Sequence, residues 1–213
     1  MRISRLIVVV LNIFLLWTTP AFARVDEANI RIGHSAKDYS YFGIKTNLLY
    51  DAVLVPNIGL EINVYDNITV YGDIMYADWN MPAAHFYWNF YGAQIGARKY
   101  FGRLASERSI SGHHIGIYGQ ATAYDLQAGN IGQQTPEINY GAGAEYGYSF
   151  PVARSLNIDV ELGVGYLTGK YYEYVVHEGH YTWRGTINRA WFGPTKASVS
   201  LIWLIKPKKK NRR

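Results

Sequence analysis

The chain has 213 residues, rich in Tyr (19), Trp (6), Phe (8) and Gly (21) and poor in helical patterns, the size and make-up of one all-β domain. Without cysteine it has no disulfide framework, thiolate metal site or cysteine-linked lipid anchor. The net charge of +5 sits at the ends: the first 23 residues carry +2 and 206–213 carry +6, leaving −3 for 24–205 and no reason to expect nucleic acid as a partner.

The N-terminus reads as a secretory signal. Arg2 and Arg5 precede the apolar run Leu6–Trp17, and Ala21-Phe22-Ala23 supplies a small-x-small cleavage site. The apolar run is too short for a retained transmembrane helix, which needs roughly 20 residues. Residues 1–23 are therefore assigned to the signal and 24–40 to a short polar leader.

From Tyr41 onward the chain alternates. The hairpin from Ile58 to Tyr76 defines the unit: Ile58, Leu60, Ile62 and Val64 on one face, Gly59, Glu61 and Asn63 on the other. Its second arm sets Ile68, Val70, Ile74 and Tyr76 against Thr69, Tyr71 and Asp73. Opposed residues share a face, so a three-residue loop, Tyr65-Asp66-Asn67, is expected to pair Val64 with Ile68. Further strands are expected over Tyr41–Tyr50, Phe90–Phe101, His113–Tyr124, Glu137–Ser149, Leu156–Tyr166 and Trp191–Trp203. Long loops fall at 51–57, 78–89, 125–136 and 172–189, and tighter turns at 65–67, 102–112 and 150–154.

The expected fold is all-β: an eight-stranded antiparallel up-and-down transmembrane β-barrel over 41–205, followed by a basic tail at 206–213. Alternation alone leaves open which face is inward, since soluble and membrane barrels invert each other. Three features choose the membrane. Gly96, Gly141, Gly143, Gly147, Gly163 and Gly165 lie on the polar face, where a narrow interior needs small residues. Aromatics collect at both strand ends, as two bilayer interfaces select. Apolar stretches of roughly 9–11 residues match a tilted crossing. The expected partner is thus the lipid bilayer of the outer membrane of a Gram-negative bacterium.

The polar face collects Lys45, Glu61, Asp73, Arg98, Glu145, Asp159, Glu161 and Lys196. Paired carboxylates can serve acid–base catalysis, but an eight-stranded interior is filled with side chains and must pair its charges. These eight residues are expected to form an interior ion network. His177-Glu178-Gly179-His180 reads as a solvated loop rather than a metal site, because zinc binding by HExxH needs a helix and another spacing. His113 and His114 point to opposite faces. No nucleophile elbow or dinucleotide fingerprint is present, so no cofactor, metal or catalytic residue is expected.

Lys45-Thr46-Asn47-Leu48-Leu49-Tyr50-Asp51, Pro56-Asn57-Ile58-Gly59-Leu60-Glu61, Tyr140-Gly141-Ala142-Gly143 and Phe192-Gly193-Pro194-Thr195-Lys196-Ala197 carry a resemblance. They resemble a family of small Gram-negative outer-membrane β-barrel proteins of unknown function, some encoded near fimbrial assembly genes, over about Tyr41 to Lys206. The layout also resembles OmpA-type barrels. One departure is the end of the chain, where Lys206–Arg213 follow Trp203-Leu204-Ile205 in place of a terminal aromatic. The resemblance implies no activity. The expected function is non-enzymatic: a structural or surface-interaction role presenting loops, with a surface appendage or another outer-membrane protein as a further partner. The alternatives are an outer-membrane lipid-modifying enzyme and a soluble periplasmic ligand-binding barrel.

Overall fold

The computed structural model describes residues 42–81, 86–177 and 180–205. The segments expected to be a signal (1–23), a leader (24–40) and a basic tail (206–213) lie outside the described residues, as do Pro82, Glu178 and Gly179.

Among the described residues nine strands follow in order: β1 (Phe42–Asn47), β2 (Asn57–Tyr65), β3 (Ile68–Met81), β4 (Phe86–Phe101), β5 (Gly112–Ala128), β6 (Ile131–Gln134), β7 (Asn139–Ala153), β8 (Leu156–His177) and β9 (His180–Ile205). Two one-turn helices among the described residues, α1 (Leu48–Ala52) and α2 (Arg103–Glu107), interrupt them. All pairings are antiparallel. β1 bonds to β2 on one side and β9 on the other, so eight strands close a ring in the order β1-β2-β3-β4-β5-β7-β8-β9. The short β6 is wedged between β5 and β8 beyond the end of β7.

The hairpin keeps the register that face purity demands, with Asn63 opposite Thr69 and Ile62 opposite Val70. Its turn differs from expectation. Tyr65 pairs with Ile68, the loop is Asp66-Asn67, and a bulge at Val64 absorbs the parity conflict. Both loop residues have positive φ (30° and 63°), as a two-residue hairpin loop requires.

The first strand stops at Asn47 rather than Tyr50. The Asn47 side chain accepts from the Leu49 N–H at 3.0 Å and starts α1 instead. The turn expected at 150–154 is displaced too: β7 runs on to Ala153 through a bulge, and the chain turns at Arg154-Ser155.

Three expected loops are largely strand. Asp78–Met81 pairs with Phe86–Asn89, placing Trp79 opposite Trp88. Asp125–Ala128 pairs with β6, and residues 172–177 pair with residues 180–186, ending at His177 opposite His180. Polar and aromatic residues occupy both faces there, so the period-two apolar signal disappears while the backbone ladder continues.

The polar face is the buried one. Along β8, Glu161 is 2% exposed and Leu162 is 68% exposed, and Asn157 and Asp159 are buried as well. Ile58, Leu60, Ile62 and Val64 of β2 are all exposed, whereas Glu61 between them is fully buried. Glycine makes this interior possible: a Cβ at Gly96 would overlap the Tyr71 ring and come within 2.6 Å of the Ile117 carbonyl oxygen. Apolar clusters close the inner face at both of its ends. Val55, Met75 and Ala77 pack with Tyr50, Trp88 and Phe90 beside α1, and Tyr100, Ala105, Ile110, Ile202 and Leu204 cluster around α2.

Candidate functional site

Strand parity delivers one charged residue after another to the same interior. Lys45 comes from β1, Glu61 from β2, Asp73 from β3, Arg98 from β4, Glu145 from β7, Asp159 and Glu161 from β8, and Lys196 from β9. Each of the eight takes part in an ion pair, in two separate groups. Lys45 Nζ lies 3.1 Å from Asp73, its own ion pair. Arg98 is the hub of the others: Nη1 lies 3.1 Å from Asp159 and 3.5 Å from Glu61, and Nη2 lies 2.8 Å from Glu161 and 3.1 Å from Glu145. Lys196 Nζ bridges Glu145 at 2.6 Å and Glu161 at 2.9 Å. A guanidinium with five fixed donors suits this hub better than an ammonium would.

Parity also brings in residues that charge alone does not single out. The Tyr71 ring stands among the three cations, 4.1 Å from Lys45 Nζ, 4.1 Å from the Arg98 guanidinium carbon and 4.7 Å from Lys196 Nζ. Its hydroxyl donates to Glu145 at 2.8 Å and accepts from Lys196 at 3.0 Å. Glu61 accepts from Thr69 at 2.6 Å and from Tyr100 at 2.8 Å. His114 is fully buried, with Nε2 2.9 Å from Asp159. Position parity with Tyr118 on β5 was the signal for His114, and the polar face of the hairpin was the signal for Tyr71. His113 faces the other way and stacks on Phe101.

The two motifs at the ends of the site are structural devices. Thr46 donates to Asp51 at 2.8 Å, and Asn57 donates to Asp51 at 2.9 Å and to the Asn47 carbonyl at 3.1 Å. These bonds fold α1 and the segment after it, where Trp79 and Trp88 donate to the carbonyls of Leu54 and Val53. In Phe192–Ala197, a register shift leaves Thr195 unpaired between Pro194 and Lys196. The bulge accommodates a proline inside a strand and turns Lys196 inward, while the Thr195 hydroxyl bonds to Tyr118.

Chemically, this arrangement holds charge rather than exposing it. The space beside Lys45, Asp73, Glu161 and Lys196 is about 20 Å³, room for one water. His114, Asp159 and Glu161 bring ligand atoms within 4.8 Å of one another, but Arg98 already supplies the positive charge to both carboxylates.

A comparison with curated proteins gives no match, and a comparison with solved structures gives none. A family model described as "Protein of unknown function (DUF3575)" matches residues 20–205, nearly the whole chain and every strand of the ring. The chain belongs to the DUF3575 family.

Proposed function

We propose that this protein is a non-enzymatic, eight-stranded transmembrane β-barrel of a Gram-negative outer membrane, and that it carries extended strands on the cell surface. The single observation behind this reading is the reversal of faces: charges buried, aliphatic side chains exposed. In water such an outer wall would leave a large contiguous apolar surface, which soluble monomers rarely carry. In lipid it is the ordinary arrangement, because a closed ring also satisfies its own backbone hydrogen bonds.

Exposed aromatics support two interfaces. Tyr76, Tyr140, Tyr166 and Trp191 lie toward one end, and Tyr65, Phe101, Phe150 and Trp203 toward the other. The signal at 1–23 supplies the export route. With eight crossing strands, the start of β1 and the end of β9 lie together on the side of the short turns, which is the periplasmic side. The extensions of β3, β4, β5, β8 and β9, with β6, then stand outside the cell, where a surface appendage or another outer-membrane protein is the partner they would meet. The interior ion network is a structural core, and its charges serve stability.

The cysteine-free chain makes a clean test, since any introduced thiol is the only one present. Thr182→Cys is expected to react with a membrane-impermeant maleimide on intact cells. Arg154→Cys, at an opposite turn, should react only after the outer membrane is opened. Leu162→Cys should react in neither case while the protein is folded in lipid. Labelling of Arg154→Cys on intact cells would overturn the topology.

A further inference from the structure

Beyond the apolar band the extended strands line a second site, open to its surroundings on one side. Tyr87 of β4, Asp125 of β5, Tyr172 and Tyr174 of β8, and Tyr181 and Trp183 of β9 line a cavity of about 350 Å³. That is the small end of the range for ligand pockets.

Its walls stand at right angles. Tyr172 and Trp183 meet edge-to-face, with centroids 6.5 Å apart and planes at 87°. Tyr174 and Tyr181 meet at 5.7 Å and 66°, and the Tyr181 hydroxyl donates to that of Tyr87 at 3.2 Å. Gly132 sets the Tyr174 ring in place: a Cβ there would overlap the ring. The Tyr174 hydroxyl donates to Asp125 Oδ1 at 2.8 Å. An ionised carboxylate has about four acceptor sites, so one bond leaves it free to face a positive group. Burial raises the Asp125 carboxyl above its usual range, and the Tyr174 hydrogen bond opposes that rise.

The same sheet already uses tyrosine faces to hold cations. Arg189 lies 4.8 Å from the Tyr171 ring and 5.7 Å from the Tyr124 ring, and donates to the Tyr124 hydroxyl at 2.7 Å. Tyr71 does so for the interior cations. The cavity repeats this chemistry without a cation of its own: no Lys or Arg is among its lining residues. Aromatic walls on several sides with one carboxylate suit a substituted ammonium group.

We propose that this cavity binds a small organic cation with a substituted ammonium group, caged by Tyr172, Tyr174, Tyr181 and Trp183 and neutralised by Asp125. The proposal stands apart from the bilayer reading, because the cavity is built entirely from strand extensions. Isothermal titration of the full chain, folded in an uncharged polyoxyethylene detergent, tests it with choline and with its neutral carbon isostere. Choline is expected to bind saturably and the isostere about tenfold more weakly or not at all. Asp125→Asn and Trp183→Leu should each weaken choline by about tenfold or more. Circular dichroism and gel mobility verify folding, and the comparison of choline with the isostere on the parent chain decides the matter alone if a variant misfolds. No saturable choline binding, equal binding of the isostere, or unchanged affinity in a folded Asp125→Asn would overturn the proposal.

Discussion

Arg98→Met is expected to destabilise the folded chain by about 3–5 kcal/mol, the usual consequence of removing one partner from a buried ion pair. Four carboxylates lie within ion-pair distance of this one guanidinium. Two of them, Glu145 and Glu161, would keep Lys196. Glu61 would keep only the neutral hydroxyls of Thr69 and Tyr100, and Asp159 only the imidazole of His114, among the contacts described. Adding Glu61→Gln or Asp159→Asn to Arg98→Met should therefore restore part of the loss, whereas Glu145→Gln should restore less. Denaturant unfolding of the single and double variants in lipid vesicles measures this, with single-channel conductance recorded beside it. Unchanged stability together with a new or altered conductance would mean that the charges line a wet lumen.

Leu162→Arg is the second large effect, with an expected cost of about 2–4 kcal/mol in lipid. Leu162 points outward and is 68% exposed. Across the pairing it faces Tyr146 and Ala197, between the aromatics at the two ends of the wall. An exposed leucine on a water-facing surface would tolerate the change within about 0.5 kcal/mol. The sign of the face is thus readable from one substitution. Destabilisation measured in vesicles and absent from a control such as Thr182→Arg, on the strand extension, supports the lipid-facing wall. A harmless Leu162→Arg contradicts it.

Where period-two alternation was strong, the chain's own pattern revealed the fold. The Ile58–Tyr76 hairpin carries its register in the sequence, because a slip of one residue would mix Glu61 and Asp73 with the aliphatic face. The same parity places Lys45, Arg98 and Lys196 on the inner face with the carboxylates, and the structure brings these side chains into contact. What alternation does not encode was hidden. The bulge at Val64 satisfies face purity by a backbone device that a three-residue loop would equally satisfy. Leu48-Leu49-Tyr50 has strand-like composition, and only the Asn47 cap and the Asp51–Asn57 bond turn it into α1. The strand extensions carry Tyr, Trp and polar residues on both faces, so nothing in their pattern separates a ladder from a loop. The aromatic cavity follows from them, since Tyr87, Asp125, Tyr172 and Trp183 meet only when β4, β5, β6, β8 and β9 pair.

The central claim, an apolar wall facing lipid around a charged interior, is tested most directly by fractionating cells that express the full chain and running the membrane pool on a gel with and without boiling. A closed ring without free edges resists detergent until heated. The account predicts recovery in the outer-membrane fraction, extraction only with detergent, and a band that changes mobility on boiling. Full recovery in the soluble periplasmic fraction, with one mobility at both temperatures, would contradict it.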